Sequence, residues 1–417
     1  MNAFSSVLPI TEVITPADQA EVEETIARAS RANMAVYPIG GGTALDYGAT
    51  ASRVGLGLSL AGLKRVIDYP ARDLTITVEA GLTIAELAQR LAAEGQRLPV
   101  DVPRPDRATV GGAVSTSAAG PRRYRWGTLR DYVLGIRAVD GTGMGFSGGG
   151  RVVKNAAGYD LCRLLTGSLG TLAVITQVTL MVKPRPETSA FCACPVRDWD
   201  TAERLLSGMV HTQTLPSAVE LLAGPTWRDE PLVGPYCRPA CLAIAFEGSQ
   251  VEVDWMLGQL QAEWRAVGVD SVTTCVGSQC EPLWTRLTEF PANSVSIGEA
   301  WMVEARALPS RTVACLEKLL SVDPACSIQA HAGNGVIRAW LSAAADQGAA
   351  LLDNRLRQEL AALGATVVAR SRPPGVPAGR DTVWGPMGES HQLMQRIKNQ
   401  FDPQGILNPG RFVFSQP

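Results

Sequence analysis

Three glycine-rich segments in the first half of the chain have the residue types that bind a phosphate through backbone amides. They span residues 37–45, 109–120 and 167–171, each beside a predicted strand and each with hydroxyl side chains. Glycine allows a backbone N–H to approach a phosphate where a Cβ would clash. Taken singly each segment is typical of a plain turn, but three in one domain favour a diphosphate cradle. Neither GxGxxG opening a helix nor GxxxxGK[ST] occurs, so the Rossmann and Walker motifs are excluded.

A run of arginines follows the same region. Between Arg97 and Arg137 there are eight arginines and three aspartates, a local excess of five positive charges. This excess suits a phosphate-bearing ligand, while a solvated loop or a docking surface for an acidic partner explains it equally well.

Proton transfer near neutral pH is most often carried out by histidine. The chain has three histidines, of which His331 lies at a predicted strand end beside glycines. The weak candidates for site chemistry are His331 and Tyr159 for proton transfer, and Arg306 and Arg338 for bidentate binding of a carboxylate. No CxxC, HExxH or paired-histidine spacing occurs, so no metal site is predicted.

The composition excludes several classes of protein. The 417 residues are 46% hydrophobic and carry a formal net charge of −2, which excludes disorder, collagen and general electrostatic binding to nucleic acid. The nine cysteines do not reproduce a ferredoxin spacing and indicate a reducing compartment. No apolar run is long enough to span a bilayer. We expect a cytoplasmic protein with no membrane span of its own.

The elements that must position these residues form an α+β pattern. In the first half we predict a helix capped at Thr15, a strand at 35–39, a capping box at 83–86 opening a helix, a helix at 161–165 and a strand at 172–182. Beyond residue 184 the order of elements recurs, which predicts two βαβ-like units in tandem and one antiparallel sheet backed by helices. The predicted strands there are 218–222, 241–247, 270–274, 294–305, 327–330, 336–341 and 366–369, and the helices 201–211, 251–267, 283–290, 311–320 and 345–363.

Taken in order, the motifs of the chain resemble the vanillyl-alcohol-oxidase (PCMH-type) family of FAD enzymes. The motifs are PDRATVGG at 105–112, RWGTLRD at 125–131, VKNAAGYDL at 153–161, GSLGTL at 167–172, and the tail segments FDP at 401–403 and NPG at 408–410. Within the family the chain is most similar to the smaller flavin subunits of bacterial glycolate oxidases.

The resemblance implies a two-subdomain PCMH-type FAD-binding domain at 1–184, an α+β cap domain at 185–385 and a C-terminal segment at 386–417 that returns to the first domain. In the family the diphosphate of FAD lies on loops matching 38–44 and 109–117, and the flavin faces the cap. No His or Cys lies in the first glycine loop, so FAD is expected to be noncovalent. The residues expected to contact FAD are Pro38, Ile39, Gly40, Gly41, Gly42, Thr43, Ala44, Thr109, Gly111, Gly112, Ser115, Ser117, Gly127, Thr128, Gly167, Gly170, Val174 and Ile175.

Two departures from the family bear on activity. Residues 331–338, HAGNGVIR, resemble the HxGDGNxH segment of the larger, D-2-hydroxy-acid-oxidising subunits, but Asn334 replaces the Asp and Arg338 the second His. The Gly-Glu-His-Gly stretch of those relatives has no counterpart near residues 370–375. The metal pair and the usual base are therefore missing from this chain.

The resemblance implies an FAD-binding subunit of a glycolate oxidase complex, which supports oxidation of glycolate to glyoxylate. Its partners would be a larger FAD-binding catalytic subunit and an iron–sulfur subunit that receives the electrons and can hold the complex at the inner membrane face. Two alternatives stay open. The chain could be a self-sufficient FAD oxidoreductase acting on another hydroxy acid or alcohol, or a non-catalytic scaffold subunit.

Overall fold

A computed structural model describes residues 7–150, 158–292 and 300–414. Eighteen strands and thirteen helices are formed within these ranges. The strands are β1 (Ile10–Ile14), β2 (Ala35–Ile39), β3 (Gly55–Ser59), β4 (Val66–Asp68), β5 (Thr75–Glu79), β6 (Gln96–Arg97), β7 (Val133–Asp140), β8 (Gly145–Gly149), β9 (Ala173–Met181), β10 (Lys183–Pro184), β11 (Thr188–Val196), β12 (Ala218–Ala223), β13 (Ala240–Gly248), β14 (Thr273–Val276), β15 (Met302–Arg306), β16 (Ser327–His331), β17 (Val336–Trp340) and β18 (Thr366–Ser371).

The helices are α1 (Gln19–Arg31), α2 (Ile84–Ala92), α3 (Val110–Thr116), α4 (Arg123–Trp126), α5 (Leu129–Tyr132), α6 (Leu161–Leu165), α7 (Trp199–His211), α8 (Gln250–Ala266), α9 (Glu281–Glu289), α10 (Thr312–Val322), α11 (Gly348–Leu351, Leu352–Leu356 and Arg357–Ala361 in succession), α12 (Arg380–Trp384) and α13 (His391–Phe401). The predicted α+β class is confirmed.

The chain divides into two compact units. Unit 1 comprises residues 1–119, 128–185 and 377–417, and unit 2 comprises residues 120–127 and 186–376. The sequence places the corresponding boundaries at 184/185 and 385/386 and leaves 120–127 in the first domain.

Unit 1 contains three sheets. Strands β1, β3 and β2 form a parallel sheet in that order, strands β4, β5, β9, β7 and β8 form an antiparallel sheet, and β10 pairs with β6. The C-terminal tail joins the edge of β2, because the Val36 N–H donates to the Ile406 carbonyl at 2.8 Å and the Asn408 N–H donates to the Val36 carbonyl at 2.8 Å. One apolar core, which includes Ile26, Leu58 and Val178, unites the unit.

Unit 2 contains one eight-stranded antiparallel sheet. Its strand order is β14-β11-β13-β12-β16-β17-β15-β18, so each half of the sheet has the same internal order and the halves meet at β12 and β16. The two predicted βαβ-like units and their single sheet are therefore confirmed. Helix α9 and a group of tryptophans that includes Trp227 and Trp340 pack in the core of this unit.

Three sequence predictions are corrected by the structure. The predicted strands omit β11. The recurring order of elements required this strand, because β11 precedes α7 as β15 precedes α10. Helix α1 is capped by Asp18, whose Oδ1 accepts from the Glu21 N–H at 3.0 Å, and not by Thr15. The strand predicted at 270–274 begins only at Thr273.

Two predictions fall partly outside the described residues. The strand predicted at 294–305 includes residues 294–299, and β15 is described from Met302. Residues 153–157 of the VKNAAGYDL motif also lie outside the described residues.

Candidate functional site

The three glycine-rich segments come together in unit 1. A Cβ on Gly41 would lie 1.5 Å from the backbone oxygen of Arg107, and one on Gly170 would lie 3.2 Å from Cγ of Pro38. The Leu169 N–H donates to the Ser115 carbonyl at 2.9 Å. Each segment thus packs against another, and glycine is required at Gly41 because no side chain fits there.

The turn after β2 presents a run of unsatisfied backbone donors. Within the part of the chain that the structure describes, no acceptor receives a hydrogen bond from the amides of Gly40, Gly41, Gly42, Thr43 or Ala44. The five residues are half-buried. Consecutive unsatisfied amides are the arrangement that binds a phosphate group. This turn therefore fits the diphosphate of a dinucleotide.

The second segment is helical rather than a loop. Thr109 is the N-cap of α3, where its Oγ1 accepts from the Gly112 N–H at 3.2 Å, and Gly111 packs against Ala80. Ser117 ends the helix at a positive φ of 50° and contacts the third segment, since a Cβ on Gly167 would lie 3.4 Å from its Cβ.

The other candidates for cofactor contact are placed differently. Thr128 uses its N–H and its hydroxyl to bind Asp131 Oδ2 at 2.8 and 3.1 Å, and Gly127 belongs to unit 2. Val174 and Ile175 lie in β9 with their side chains in the core of unit 1. Cofactor contact by these four residues stays a prediction.

A row of polar side chains crosses one face of the sheet in unit 2. Glu220 of β12 lies directly opposite His331 of β16, and Arg338 of β17 lies opposite both Gln329 of β16 and Glu304 of β15. Residues opposite each other in a ladder point to the same face. The five side chains are at most 4% exposed. Together with Arg306, Arg370 and Arg123 they are called the sheet cluster below.

Glu304 is bound by several guanidinium groups. Arg338 Nε donates to Oε2 at 3.0 Å, and Arg306 donates to Oε1 through Nε at 2.9 Å and Nη2 at 2.7 Å. Arg370 Nε lies 3.9 Å from Oε2. Burial alone would raise the pKa of Glu304, but the charges of Arg370, Arg338 and Arg306 hold this pKa well below its usual range.

His331 is held by a second carboxylate. Its Nδ1 lies 2.7 Å from Glu220 Oε1, and Gln329 Nε2 donates to Glu220 Oε2 at 3.0 Å. Gln329 Nε2 also donates to the Leu287 carbonyl at 3.0 Å. Both oxygens of Glu220 are therefore fixed in position.

Helix α4 brings a further guanidinium group to the sheet cluster. A Cβ on Gly333 would lie 2.0 Å from Cε2 of Tyr124, so α4 packs closely on the turn that follows β16. Burial, and then the charge of Arg338, lower the pKa of the neighbouring Arg123. Among the described residues, the buried Arg123 Nε, His331 Nε2 and Asn334 Oδ1 have no hydrogen-bond partner.

The sheet cluster has the charge expected of an anion site. It contains four guanidinium groups and two carboxylates, and its buried Arg123 Nε, His331 Nε2 and Gln329 Oε1 lack a partner among the described residues. An unsatisfied buried polar group costs free energy, which a polar ligand would recover. A small carboxylate with a hydroxyl group offers an acceptor to Arg123 Nε and a hydroxyl donor to His331 Nε2.

The structure brings three of the four predicted catalytic candidates together, since His331, Arg306 and Arg338 all belong to the sheet cluster. Tyr159 is not among them: it lies in unit 1 with its side chain 92% exposed, beside residues 151–157 outside the described ranges. Its role stays a prediction. Within residues 7–150, 158–292 and 300–414, no group of three or more His, Cys, Asp or Glu side chains could hold a metal ion.

Sequence reasoning missed Glu220, Glu304 and Arg123. A signal for the two carboxylates was available, since each is a lone acid in an otherwise apolar strand, in AVELLA and MVEAR. Arg123 belongs to the arginine run between Arg97 and Arg137. Two other members of this run bind Glu247 within unit 2. Arg122 Nε donates to Glu247 Oε1 at 2.9 Å, and Arg125 Nη1 donates to the Glu247 carbonyl at 3.0 Å. These two arginines are therefore engaged by Glu247 within unit 2.

Comparison with family models identifies the first unit. Residues 10–146 match the family described as FAD binding domain, and residues 387–412 match FAD linked oxidases, C-terminal domain. The chain therefore contains an FAD binding domain and the C-terminal segment of FAD linked oxidases. Its cofactor is FAD, and the unsatisfied amides of residues 40–44 fit the diphosphate of that cofactor.

Curated relatives align over most of the chain. The glycolate oxidase subunit GlcD of Bacillus subtilis is 26% identical over 96% of this chain and 88% of its own length. The glycolate oxidase subunit GlcE of Escherichia coli is 29% identical over 83% of this chain and 84% of its own. The mitochondrial D-lactate dehydrogenase [cytochrome] of Arabidopsis thaliana is 26% identical over 99% of this chain and 75% of its own length. The chain is an FAD-linked oxidoreductase that is similar to glycolate oxidase subunits and to a D-lactate dehydrogenase.

A solved structure supports the fold alone. An alkyldihydroxyacetonephosphate synthase superposes with a TM-score of 0.69 and 18% identity, covering 96% of this chain and 77% of that one. Within the described residues, no helix has both the length and the apolar character needed to cross a bilayer.

Proposed function

We propose that this chain is an FAD-binding subunit of a complex that oxidises glycolate to glyoxylate and transfers the electrons to an iron–sulfur partner. The relatives that carry the name glycolate oxidase subunit align over four fifths or more of the chain, which supports the proposal. The observation that carries it is the run of unsatisfied amides at residues 40–44, packed against the Thr109 and Gly167 segments.

In this proposal FAD is held noncovalently by unit 1. The amides of residues 40–44 hold the diphosphate, and Ser115 and Ser117 of the second segment contribute their hydroxyl groups to FAD binding. When bound, FAD supplies the acceptor for two electrons from the substrate.

The sheet cluster holds the carboxylate of the 2-hydroxy acid. Arg306 and Arg338 are already bound to Glu304, so their fixed positive charges attract the carboxylate, while Arg123 Nε supplies a hydrogen-bond donor. His331 Nε2 is the acceptor for the substrate hydroxyl. The position that is a histidine in the larger subunits is Arg338 here, which favours a supporting role in the complex over oxidation by this chain alone.

The first test is retention of FAD by a glycine variant. A methyl group at Gly41 would overlap the Arg107 carbonyl, so Gly41→Ala is expected to displace the turn and to yield colourless protein. Gly388→Ala is the matched control, because no atom lies within 4 Å of a Cβ at that position. Flavin released by denaturation is measured against protein. Full FAD content in Gly41→Ala would remove the basis of the proposal.

The second test is reconstitution with the partners. The wild-type chain is co-expressed with its neighbouring flavin and iron–sulfur subunits, and glycolate oxidation with an artificial electron acceptor is compared for the chain alone and for the complex. We expect little turnover by the chain alone and full turnover by the complex, with Gly41→Ala impaired in the complex. Rapid glycolate oxidation by the isolated chain would refute this division of labour.

A second candidate function is a self-sufficient oxidoreductase. The buried Glu220–His331 pair and the positive sheet cluster favour it, because a proton acceptor and a carboxylate site are both present in this chain. Under anaerobic conditions, glycolate, D-lactate or another hydroxy acid would then bleach the flavin absorbance of the isolated holoprotein. No bleaching by any of these acids would leave the subunit function as the conclusion.

A further inference from the structure

We propose that Glu220 is a positioning residue that keeps His331 in the form with hydrogen on Nδ1, so that Nε2 presents a lone pair to the ligand hydroxyl. The inference rests on the proposed function for the ligand, but the position of the proton rests on the geometry of unit 2 alone.

The strand register creates the contact. Glu220 and His331 are directly opposite on the neighbouring strands β12 and β16, and both side chains are at most 1% exposed. The Nδ1 to Oε1 distance is 2.7 Å. An ionised carboxylate only accepts hydrogen bonds, so the imidazole must donate through Nδ1.

The second oxygen of Glu220 is fixed as well. Gln329 Nε2 donates to Oε2 at 3.0 Å and to the Leu287 carbonyl at 3.0 Å. The Glu220 carboxylate thus accepts hydrogen bonds from the Gln329 amide on one oxygen and from the His331 imidazole on the other. Neither neighbour can exchange roles without leaving a buried acceptor facing another acceptor.

The other ring nitrogen is buried and has no partner among the described residues. With the hydrogen on Nδ1, this Nε2 is an acceptor in neutral imidazole. Arg123 Nε and Asn334 Oδ1 are likewise buried and without a partner in the described chain. A hydroxyl that donates to Nε2, on a carboxylate that accepts from Arg123 Nε, satisfies these two atoms.

The sharpest variant is Glu220→Gln, which keeps the size of the side chain. Because Gln329 donates to one side, the new carboxamide must turn its oxygen to Gln329 and its NH2 to His331. The ring must then accept at Nδ1 and carry its hydrogen on Nε2. Adding Gln329→Met to Glu220→Gln removes the competing donor, so the carboxamide can turn and the Nδ1–H form should return.

Ring-nitrogen NMR on histidine-labelled holoprotein reports the form directly. The chain has three histidines, so a His331→Asn variant assigns the His331 signals. We expect Nδ1–H in the wild type, Nε2–H in Glu220→Gln and Nδ1–H again in the double variant. Glu230→Gln is the matched control, since Glu230 is also buried in unit 2 but binds the backbone of Leu232 and Val233. A wild type with Nε2–H would overturn the inference even if no variant folds.

A ligand-binding measurement distinguishes a positioning role of Glu220 from a purely structural role. Glycolate and acetate both carry a carboxylate, but only glycolate has a hydroxyl to donate to Nε2. We expect Glu220→Gln to reduce the preference for glycolate over acetate by about tenfold, the effect of one buried hydrogen bond, and the double variant to restore it. If His331 carries its hydrogen on Nε2 in Glu220→Gln but the preference for glycolate over acetate is unchanged, the positioning role is refuted. Absence of glycolate binding to a wild type that shows Nδ1–H would instead refute the proposed function.

Discussion

At the scale of single residues, Glu304 shows how buried charge shapes unit 2. Its carboxylate is 1% exposed and is bound by Arg338 and Arg306, with Arg370 nearby. Removing one member of such a group leaves the other charges buried and uncompensated. This applies most to Arg338 and Arg370, whose side chains are 4% and 16% exposed, and least to Arg306, which is 60% exposed.

Glu304→Gln is expected to lower the free energy of unfolding at neutral pH by about 3 to 5 kcal/mol, because three arginines lose their common partner. The folded-state pKa of Glu304 is depressed, so its stabilising contribution is complete above the ordinary carboxyl pKa of about 4.3. It is lost as the pH falls from there through the lower folded-state pKa. The difference between wild type and variant should shrink over that acid range.

Urea unfolding at neutral pH and at several acid pH values measures this difference. Glu359→Gln is the control, since the Lys318–Glu359 pair is 3.1 Å apart with side chains 37% and 42% exposed, and it is expected to cost less than about 1 kcal/mol. A Glu304→Gln variant as stable as the control at neutral pH would contradict the prediction.

At the scale of elements, α13 and the tail secure the third glycine segment. Lys398 Nζ donates to the carbonyl of Thr171 at 2.6 Å and to that of Leu407 at 3.2 Å, and it is paired with Asp402. Asp402 in turn accepts from the Leu407 N–H at 2.7 Å. Asn408 Nδ2 donates to the Leu169 carbonyl at 2.6 Å. The FDP and NPG segments thus position the glycine segment from a distance of more than 200 residues in sequence.

Lys398→Met is expected to destabilise the protein by about 3 to 5 kcal/mol, because Asp402 stays buried without its cation. The Thr171 segment also loses its anchor, so the affinity for FAD should fall. Thermal unfolding and FAD titration measure the two effects. Lys318→Met, at an exposed pair, is the control, and equal behaviour of the two variants would show that the tail does not secure the segment.

At the scale of the whole molecule, the two units have separate cores and all nine cysteines are buried as free thiols. Burial raises the pKa of Cys162 to about 11 and that of Cys194 to about 12, so few thiolates are present at neutral pH. Cys275 and Cys280 are neighbouring thiols, with their sulfur atoms 3.1 Å apart.

Thiol titration without reductant tests this picture. We expect almost no rapid reaction in the native protein and nine reactive thiols after denaturation, because burial protects each sulfur and none is cross-linked. Mass spectrometry after alkylation gives an independent count. Seven reactive thiols in denaturant would show that one disulfide forms in the isolated protein, and peptide mapping would tell whether Cys275 and Cys280 form it.

The amino-acid sequence by itself determined the α+β class, the tandem order of elements in unit 2 and the glycine segments, because these depend on local spacing and on residues close in sequence. It also predicted the FAD family from the order of its motifs. Several strands were not predicted, among them β3 and β7 of unit 1 and also β11 of unit 2, which the repeat implied.

Only the tertiary structure decided which polar groups meet. Glu220 and His331 are 111 residues apart and become neighbours through the pairing of β12 with β16. Arg123 lies far from both in sequence and reaches the sheet cluster because α4 packs on Gly333. Long-range strand pairing depends on the packing of the whole sheet rather than on local preference, so no short stretch of sequence could specify these contacts.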